Sequence, residues 1–133
     1  MASAAGQQTN YGTVINCIDG DAQLPALRFF NNAWKTDWVD LITEAAPEKL
    51  LSEGTDTAAI GHLFRNILES LDGQSEKRLA IVSHATCSCC VASKDAKLEM
   101  LRKSGRYLVK QFPDVKVAGI WLDRNGRPGI IEW

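Results

Sequence analysis

Residues 79–83 read Leu-Ala-Ile-Val-Ser, a short run that is almost entirely apolar. A run of this length without alternating polar side chains is typical of a strand buried on both faces of a sheet. A second such run, rich in β-branched residues, spans residues 13–18 and is stopped by Asp19-Gly20-Asp21. The two runs together indicate a parallel sheet that is covered by helices on both faces.

Helical and strand patterns alternate along the rest of the chain. The clearest helix follows a predicted N-cap at Thr55 and ends at Asp72-Gly73. The other predicted elements are a helix from Pro25 to Trp34, a strand over residues 38–43, a helical turn from Pro47 to Gly54, a helix capped by Ser93 that runs to Phe112, a strand over residues 115–122 and, after a turn at Asn125-Gly126, a strand at Ile130-Ile131. This order predicts an α/β fold with a mainly parallel central sheet flanked by helices and an antiparallel C-terminal edge strand.

Side-chain spacing assigns faces to the predicted helices. Leu24 and Leu68 fall on the apolar stripes of the first and the clearest helix, whereas His62 is predicted to face solvent. The solvated face of the last helix is predicted to carry its basic residues, which are Lys94, Lys97, Arg102, Lys103 and Arg106.

Length and composition exclude several classes of protein. The chain has 133 residues, 45% of them hydrophobic and 23% charged, which predicts one globular domain over residues 12–133 after a disordered tail over residues 1–11. Because 15 Lys and Arg balance 16 Asp and Glu, no nucleic-acid partner is expected. No apolar run is long enough to cross a bilayer and the start lacks signal-peptide features, so a cytoplasmic protein without membrane contact is expected.

Three of the four cysteines lie close together in the sequence. Cys87, Cys89 and Cys90 follow His84, which comes directly after a predicted strand, and Cys17 lies at the end of another. The carboxyl ends of parallel strands meet at one edge of a sheet, so Cys17, His84 and Cys87 are expected to lie together. Two thiolates and an imidazole suit Zn²⁺ and leave a fourth position for water or a carboxylate. Alternatively, the cysteines are buried small residues and His84 is a hydrogen-bonded histidine.

The two strand-end motifs resemble those of the β-class carbonic anhydrases. That family has Cys-x-Asp-x-Arg after one strand and His-x-x-Cys after a later one, and this chain has Cys17-Ile18-Asp19-Gly20-Asp21 and His84-Ala85-Thr86-Cys87. The resemblance implies that Cys17, His84 and Cys87 bind Zn²⁺ and that zinc-bound hydroxide hydrates carbon dioxide to bicarbonate. It also implies that Asp19 is a catalytic residue that accepts a hydrogen bond from this hydroxide.

The chain departs from the family pattern at the motif arginine. Asp21 stands in its place, and in the family the arginine pairs with the aspartate and keeps it away from the metal. Asp19 is therefore expected to have less restraint and to be a possible fourth zinc ligand. Cys89 and Cys90 are additions to the pattern. Either of them could fill the fourth position, but the short span from Cys87 to Cys89 favours two thiols outside the coordination shell.

These features leave three hypotheses on function. The first is a carbonic anhydrase-like lyase that acts on carbon dioxide and bicarbonate. The alternative is a non-catalytic zinc-binding homologue with a closed structural or sensing site, and a weaker third is an open zinc site for another small electrophile. The resemblance further implies a homodimer, with Phe29, Phe30 and Trp34 as candidates for its apolar surface.

Overall fold

The computed structural model describes residues 10–133, and within them five strands form one sheet. The strands are β1 (Tyr11–Cys17), β2 (Trp38–Glu44), β3 (Arg78–His84), β4 (Lys116–Leu122) and β5 (Pro128–Ile131). Their order is β2-β1-β3-β4-β5; β5 pairs antiparallel with β4, and the other three pairs are parallel. The predicted α/β fold with an antiparallel C-terminal edge strand is confirmed.

Helices cover both faces of this sheet. They are α1 (Gln23–Trp34), preceded by a 3₁₀ turn over Gly20–Ala22, α2 (Pro47–Glu53), α3 (Thr57–Asp72) and α4 (Lys94–Gln111). Ile15 and Ile81 pack with the apolar residues of α2, α3 and α4, whereas Val14 and Val82 pack with those of α1. Neighbouring strand residues thus enter opposite cores, which explains why these strands read as continuous apolar runs.

The register brings the carboxyl ends of β1 and β3 to the same edge of the sheet. Ile15 pairs with Ile81 in the parallel ladder, and the two strands end at Cys17 and His84. The loops after both strands therefore meet at this edge, as predicted.

Several boundaries and faces differ from the predicted ones. β1 begins at Tyr11, inside the predicted tail, whose residues 1–9 lie outside the described residues. The side chain of Asp56, not Thr55, caps α3 by accepting a hydrogen bond from the Ala59 amide. Ser93 caps α4 as predicted. Leu24 and Leu68, predicted to be buried, are exposed at 58% and 57%.

Trp133 explains the glycine within α4. A Cβ atom at Gly105 would lie 2.3 Å from the Trp133 ring, and a Cβ atom at Gly119 of β4 would lie 2.5 Å from it. Both glycines leave the space in which the C-terminal indole packs, so their lack of a side chain serves packing here. Within residues 10–133, no helix combines the length and the apolar character needed to span a membrane.

Candidate metal centre

Four side chains that the sequence singled out meet at the edge of the sheet where β1 and β3 end. Cys17 closes β1, Asp19 follows it, His84 closes β3, and Cys87 lies in the next turn. One potential ligand atom from each residue lies within 4.8 Å of those of the other three. The structure thus brings together all four residues predicted for the site.

Local hydrogen bonds hold the two loops that carry these side chains. The Gln23 side-chain amide donates to the carbonyl oxygens of Cys17 and Asp19, at 2.6 and 2.9 Å. On the other loop, the Ala85 amide continues the β3–β4 pairing by donating to the Leu122 carbonyl. Both loops are therefore fixed to neighbouring elements at the point where they present the four side chains.

Two distances between potential ligand atoms of the cluster are close to those expected around a tetrahedrally coordinated ion. The Cys17 and Cys87 Sγ atoms are 3.7 Å apart, and two thiolates at about 2.3 Å from one tetrahedral Zn²⁺ would be about 3.8 Å apart. His84 Nε2 and Asp19 Oδ2 are 3.6 Å apart, close to the roughly 3.4 Å that nitrogen and oxygen ligands of zinc would show. The carboxylate is therefore close enough to the His84 imidazole for both to bind the same ion.

The His84 imidazole supplies an unused ligand atom. Its Nε2 is buried and has no hydrogen-bond partner among residues 10–133, although an unpaired buried polar atom is costly. Burial also lowers the pKa of His84, so the imidazole is neutral and can offer a lone pair near pH 7. A metal ion at this point would satisfy the orphaned nitrogen, so the donor set fits a zinc-like cation.

The buried thiols must lose their protons when they bind such an ion. Burial raises the pKa of Cys87 to about 12, so this thiol is protonated at neutral pH before metal binds. Metal binding would therefore release its proton and become tighter as the pH rises.

Ser88 restrains the Asp19 carboxylate, a contact that the sequence did not predict. The Ser88 amide donates to Oδ2 and the Ser88 hydroxyl to Oδ1, both at 2.7 Å. These two hydrogen bonds lower the pKa of Asp19 below its ordinary value, and the bond from the amide has the larger effect. In the absence of the family's arginine, Ser88 thus supplies two donors to this carboxylate from the neighbouring loop.

Asp21, which stands in place of the family's arginine, lies beside the other ring nitrogen of His84, Nδ1. The Thr86 hydroxyl donates to Asp21 Oδ2 at 2.5 Å, and Asp21 Oδ1 lies 3.6 Å from His84 Nδ1. A carboxylate on the far nitrogen of a metal-binding histidine favours the tautomer whose other nitrogen is free for the metal. Asp21 is thus placed to orient the imidazole.

The two additional cysteines differ in their placement. Cys89 is half-buried, and its Sγ lies 4.0 Å from Cys17 Sγ and 3.9 Å from Asp19 Oδ1. It nevertheless falls outside the group of four whose ligand atoms are all mutually close. Cys90 is buried among Cys17, Ala46 and Cys87.

Lys97 contradicts the prediction that it lies on the solvated face of α4. Its side chain is only 1% exposed, and Nζ donates to the carbonyl oxygens of His84 and Cys90, at 3.0 and 2.9 Å. The ammonium is buried because it joins α4 to both ends of the loop that carries Cys87. By contrast, His62 is exposed as predicted and lies 3.0 Å from an Arg65 nitrogen.

The geometry predicts that Cys89 and Cys90 are dispensable for metal binding. Replacing both with alanine should leave the metal content and the sulfur coordination unchanged, because the four other donors already lie within 4.8 Å of one another. X-ray absorption at the zinc edge would count two sulfur neighbours in both the parent and the double variant. A count of three or four in the parent, reduced in the variant, would make Cys89 or Cys90 a ligand and contradict this prediction.

Comparison with known proteins places the whole site within one family. Residues 7–132 match the family described as "Putative carbonic anhydrase". No curated protein matches the chain. Since the match extends over nearly the full length and includes all four clustered residues, the chain belongs to this carbonic anhydrase family.

Proposed function

We propose that the protein hydrates carbon dioxide to bicarbonate with a zinc ion held by Cys17, His84 and Cys87. The observation that carries this proposal is the buried Nε2 of His84, which has no hydrogen-bond partner among residues 10–133. It lies in one cluster with two thiols 3.7 Å apart, in a member of a carbonic anhydrase family. A neutral imidazole and two sulfur atoms form the three-ligand set of an open zinc site.

Each residue has a distinct part in this reaction. When bound, Zn²⁺ acts as a Lewis acid that lowers the pKa of a water molecule to about 7, which supplies a nucleophile at neutral pH. Cys17, His84 and Cys87 hold the ion, and Asp21 with Thr86 orients the His84 ring. Asp19 would have two roles: its carboxylate would fill the fourth position at rest and, once displaced, would accept a hydrogen bond from the nucleophile.

A cavity of about 250 Å³ lies next to Asp21 and His84. It is lined by these two residues and Thr86, together with Pro25 and residues of the β4–β5 hairpin. Neither the two thiols nor Asp19 line it, so the proposal of carbon dioxide and bicarbonate as substrate and product rests on the family match.

We also propose a cytoplasmic homodimer. Phe30 cannot supply its surface, because this side chain is 1% exposed and belongs to the core under α1. Phe29 and Trp34 are only partly buried against the same core and remain candidates. Light scattering of the purified protein gives the oligomeric state directly.

The hydration rate is expected to be low near neutrality and to rise under alkaline conditions. Asp19 holds the fourth position, and a higher hydroxide concentration helps hydroxide to displace the carboxylate. The rise does not come from titration of Asp19 itself, since its pKa is lowered and the group is ionised throughout this range. Stopped-flow measurement of carbon dioxide hydration between pH 6.5 and 9 checks this expectation.

The control for this measurement is the Cys87→Ser variant at the same concentration and pH. Its rate should stay at the uncatalysed level at every pH. A parent rate that is already high and flat across the range would refute the resting role of Asp19. A parent rate equal to that of Cys87→Ser at all pH values would refute the enzyme.

One observation favours the alternative of a non-catalytic zinc protein. The Asp19 carboxylate lies in one cluster with the three other donors and accepts two hydrogen bonds from Ser88, which supports a site whose fourth position is filled by the protein itself. A closed four-ligand site is typical of structural zinc. Zinc uptake and stabilisation without any hydration activity up to pH 9 would select this alternative.

A further inference from the structure

We propose that Ser88 is a positioning residue whose amide and hydroxyl hold the Asp19 carboxylate in the fourth ligand position of the metal centre. These two hydrogen bonds are called the Ser88 latch. This inference rests on the proposed metal site but not on the proposed reaction. The hydroxyl and the backbone amide of this serine would then control whether the site is closed or open to an external ligand.

The contacts of Asp19 support the latch. Oδ2, the oxygen 3.6 Å from His84 Nε2, accepts the Ser88 amide, and Oδ1 accepts the Ser88 hydroxyl. Within residues 10–133, the one other side-chain hydrogen-bond partner of Asp19 is the Cys89 thiol at 3.9 Å, a weak donor at long range. Ser88 therefore provides both short hydrogen bonds to this carboxylate.

The position of Ser88 in the chain links the two halves of the site. It directly follows Cys87 on the loop after β3, whereas Asp19 lies two residues beyond Cys17 on the loop after β1. The latch thus spans both loops and fixes Asp19 relative to both cysteines. Asp21 does not compete for this role, because Thr86 and His84 are its neighbours.

Opening the site requires these hydrogen bonds to break. Hydrogen bonds to a carboxylate are charge-assisted, and loss of one changes an equilibrium by about tenfold or more. An external anion that takes the fourth position must displace Asp19, so breaking these hydrogen bonds lowers the affinity for the anion. Removal of the hydroxyl should make displacement easier, while the backbone amide keeps part of the latch.

Cobalt-substituted protein provides the test. Thiocyanate is titrated at one fixed pH into the Co²⁺ forms of the parent, Ser88→Ala and Ser88→Thr, and binding is followed by the visible d–d spectrum. Ser88→Ala should bind thiocyanate about tenfold more tightly than the parent. Ser88→Thr keeps a hydroxyl and should bind as the parent does. Ser52→Ala, which removes a hydroxyl that bonds within α2, is the matched control and should also behave as the parent.

A thiocyanate affinity of Ser88→Ala that is equal to or weaker than that of the parent would overturn the latch. Failure of the parent to take up cobalt would also overturn it.

A measurement by NMR without metal examines the contact between Ser88 and Asp19 itself. The Ser88 amide proton should resonate downfield in the parent and move upfield in Asp19→Ala; an unchanged resonance would also overturn it. If the tenfold change is found but no variant hydrates carbon dioxide, the latch stands and the proposed reaction fails.

Discussion

Replacing Cys87 with serine should lower the affinity for zinc on the order of 100-fold or more, since losing even a group outside the coordination shell costs 10–100-fold. Serine offers a harder oxygen that does not ionise at neutral pH in place of a soft thiolate. Cys87 is 6% exposed and its Sγ lies 3.7 Å from that of Cys17, so the substitution removes one of the two buried sulfur donors of the group of four. Competition with a chromophoric chelator measures the affinity.

The same substitution should also remove the stabilisation that metal provides. Binding free energy at such a site is folding free energy, so adding chelator should lower the melting temperature of the parent but not that of Cys87→Ser. Cys90→Ser is the matched control, because it changes another buried thiol of the same cluster that lies outside the donor group. Parent-like zinc affinity in Cys87→Ser would contradict the assignment of this cysteine.

Replacing Lys97 with methionine should lower the free energy of unfolding by about 2–5 kcal/mol, with or without metal. The long apolar side chain of methionine can fill the space, but it leaves the buried carbonyls of His84 and Cys90 without their donor. Each unsatisfied buried carbonyl costs about 1–3 kcal/mol. Urea denaturation of the metal-free and metal-loaded proteins measures the change.

Lys103→Met is the control for this substitution, since Lys103 is an exposed lysine of the same helix. Its stability should stay within about 0.5 kcal/mol of the parent. An equally small effect at Lys97 would show that the ammonium does not hold the loop after β3, and a large effect only in the metal-loaded protein would assign Lys97 to the metal rather than to the fold.

The sequence predicted the sheet and three of the four clustered residues because these follow from local patterns. Continuous apolar runs identify buried parallel strands, and the ends of such strands converge. Cys17 and His84 could therefore be placed at one edge of the sheet from their positions alone, and Cys87 followed because it lies three residues after a strand end. Asp19 was singled out by the resemblance to the β-class carbonic anhydrases.

Ser88 could not be predicted in the same way. Its contact with Asp19 joins residues 69 positions apart and depends on how the loop after β3 turns. No periodic pattern describes such a loop. Its residue type gave no signal either, because serine is common in loops.

Lys97 was missed although the pattern contained a signal. It lies four positions before Leu101 and seven before Ser104, both of which are buried, so helical spacing puts it on the inner face of α4. Its positive charge outweighed this spacing in the prediction, because lysine is rarely buried without partners. The partners are backbone carbonyls of a distant loop, which the sequence does not reveal.

The metal content of the purified protein tests the central claim most directly. Elemental analysis should find one zinc ion per chain, and removal of that ion by a chelator should lower the melting temperature, with recovery when zinc is added back. A folded protein that holds no metal, and whose melting temperature responds neither to chelator nor to zinc, would contradict the claim that Cys17, His84 and Cys87 form a metal centre.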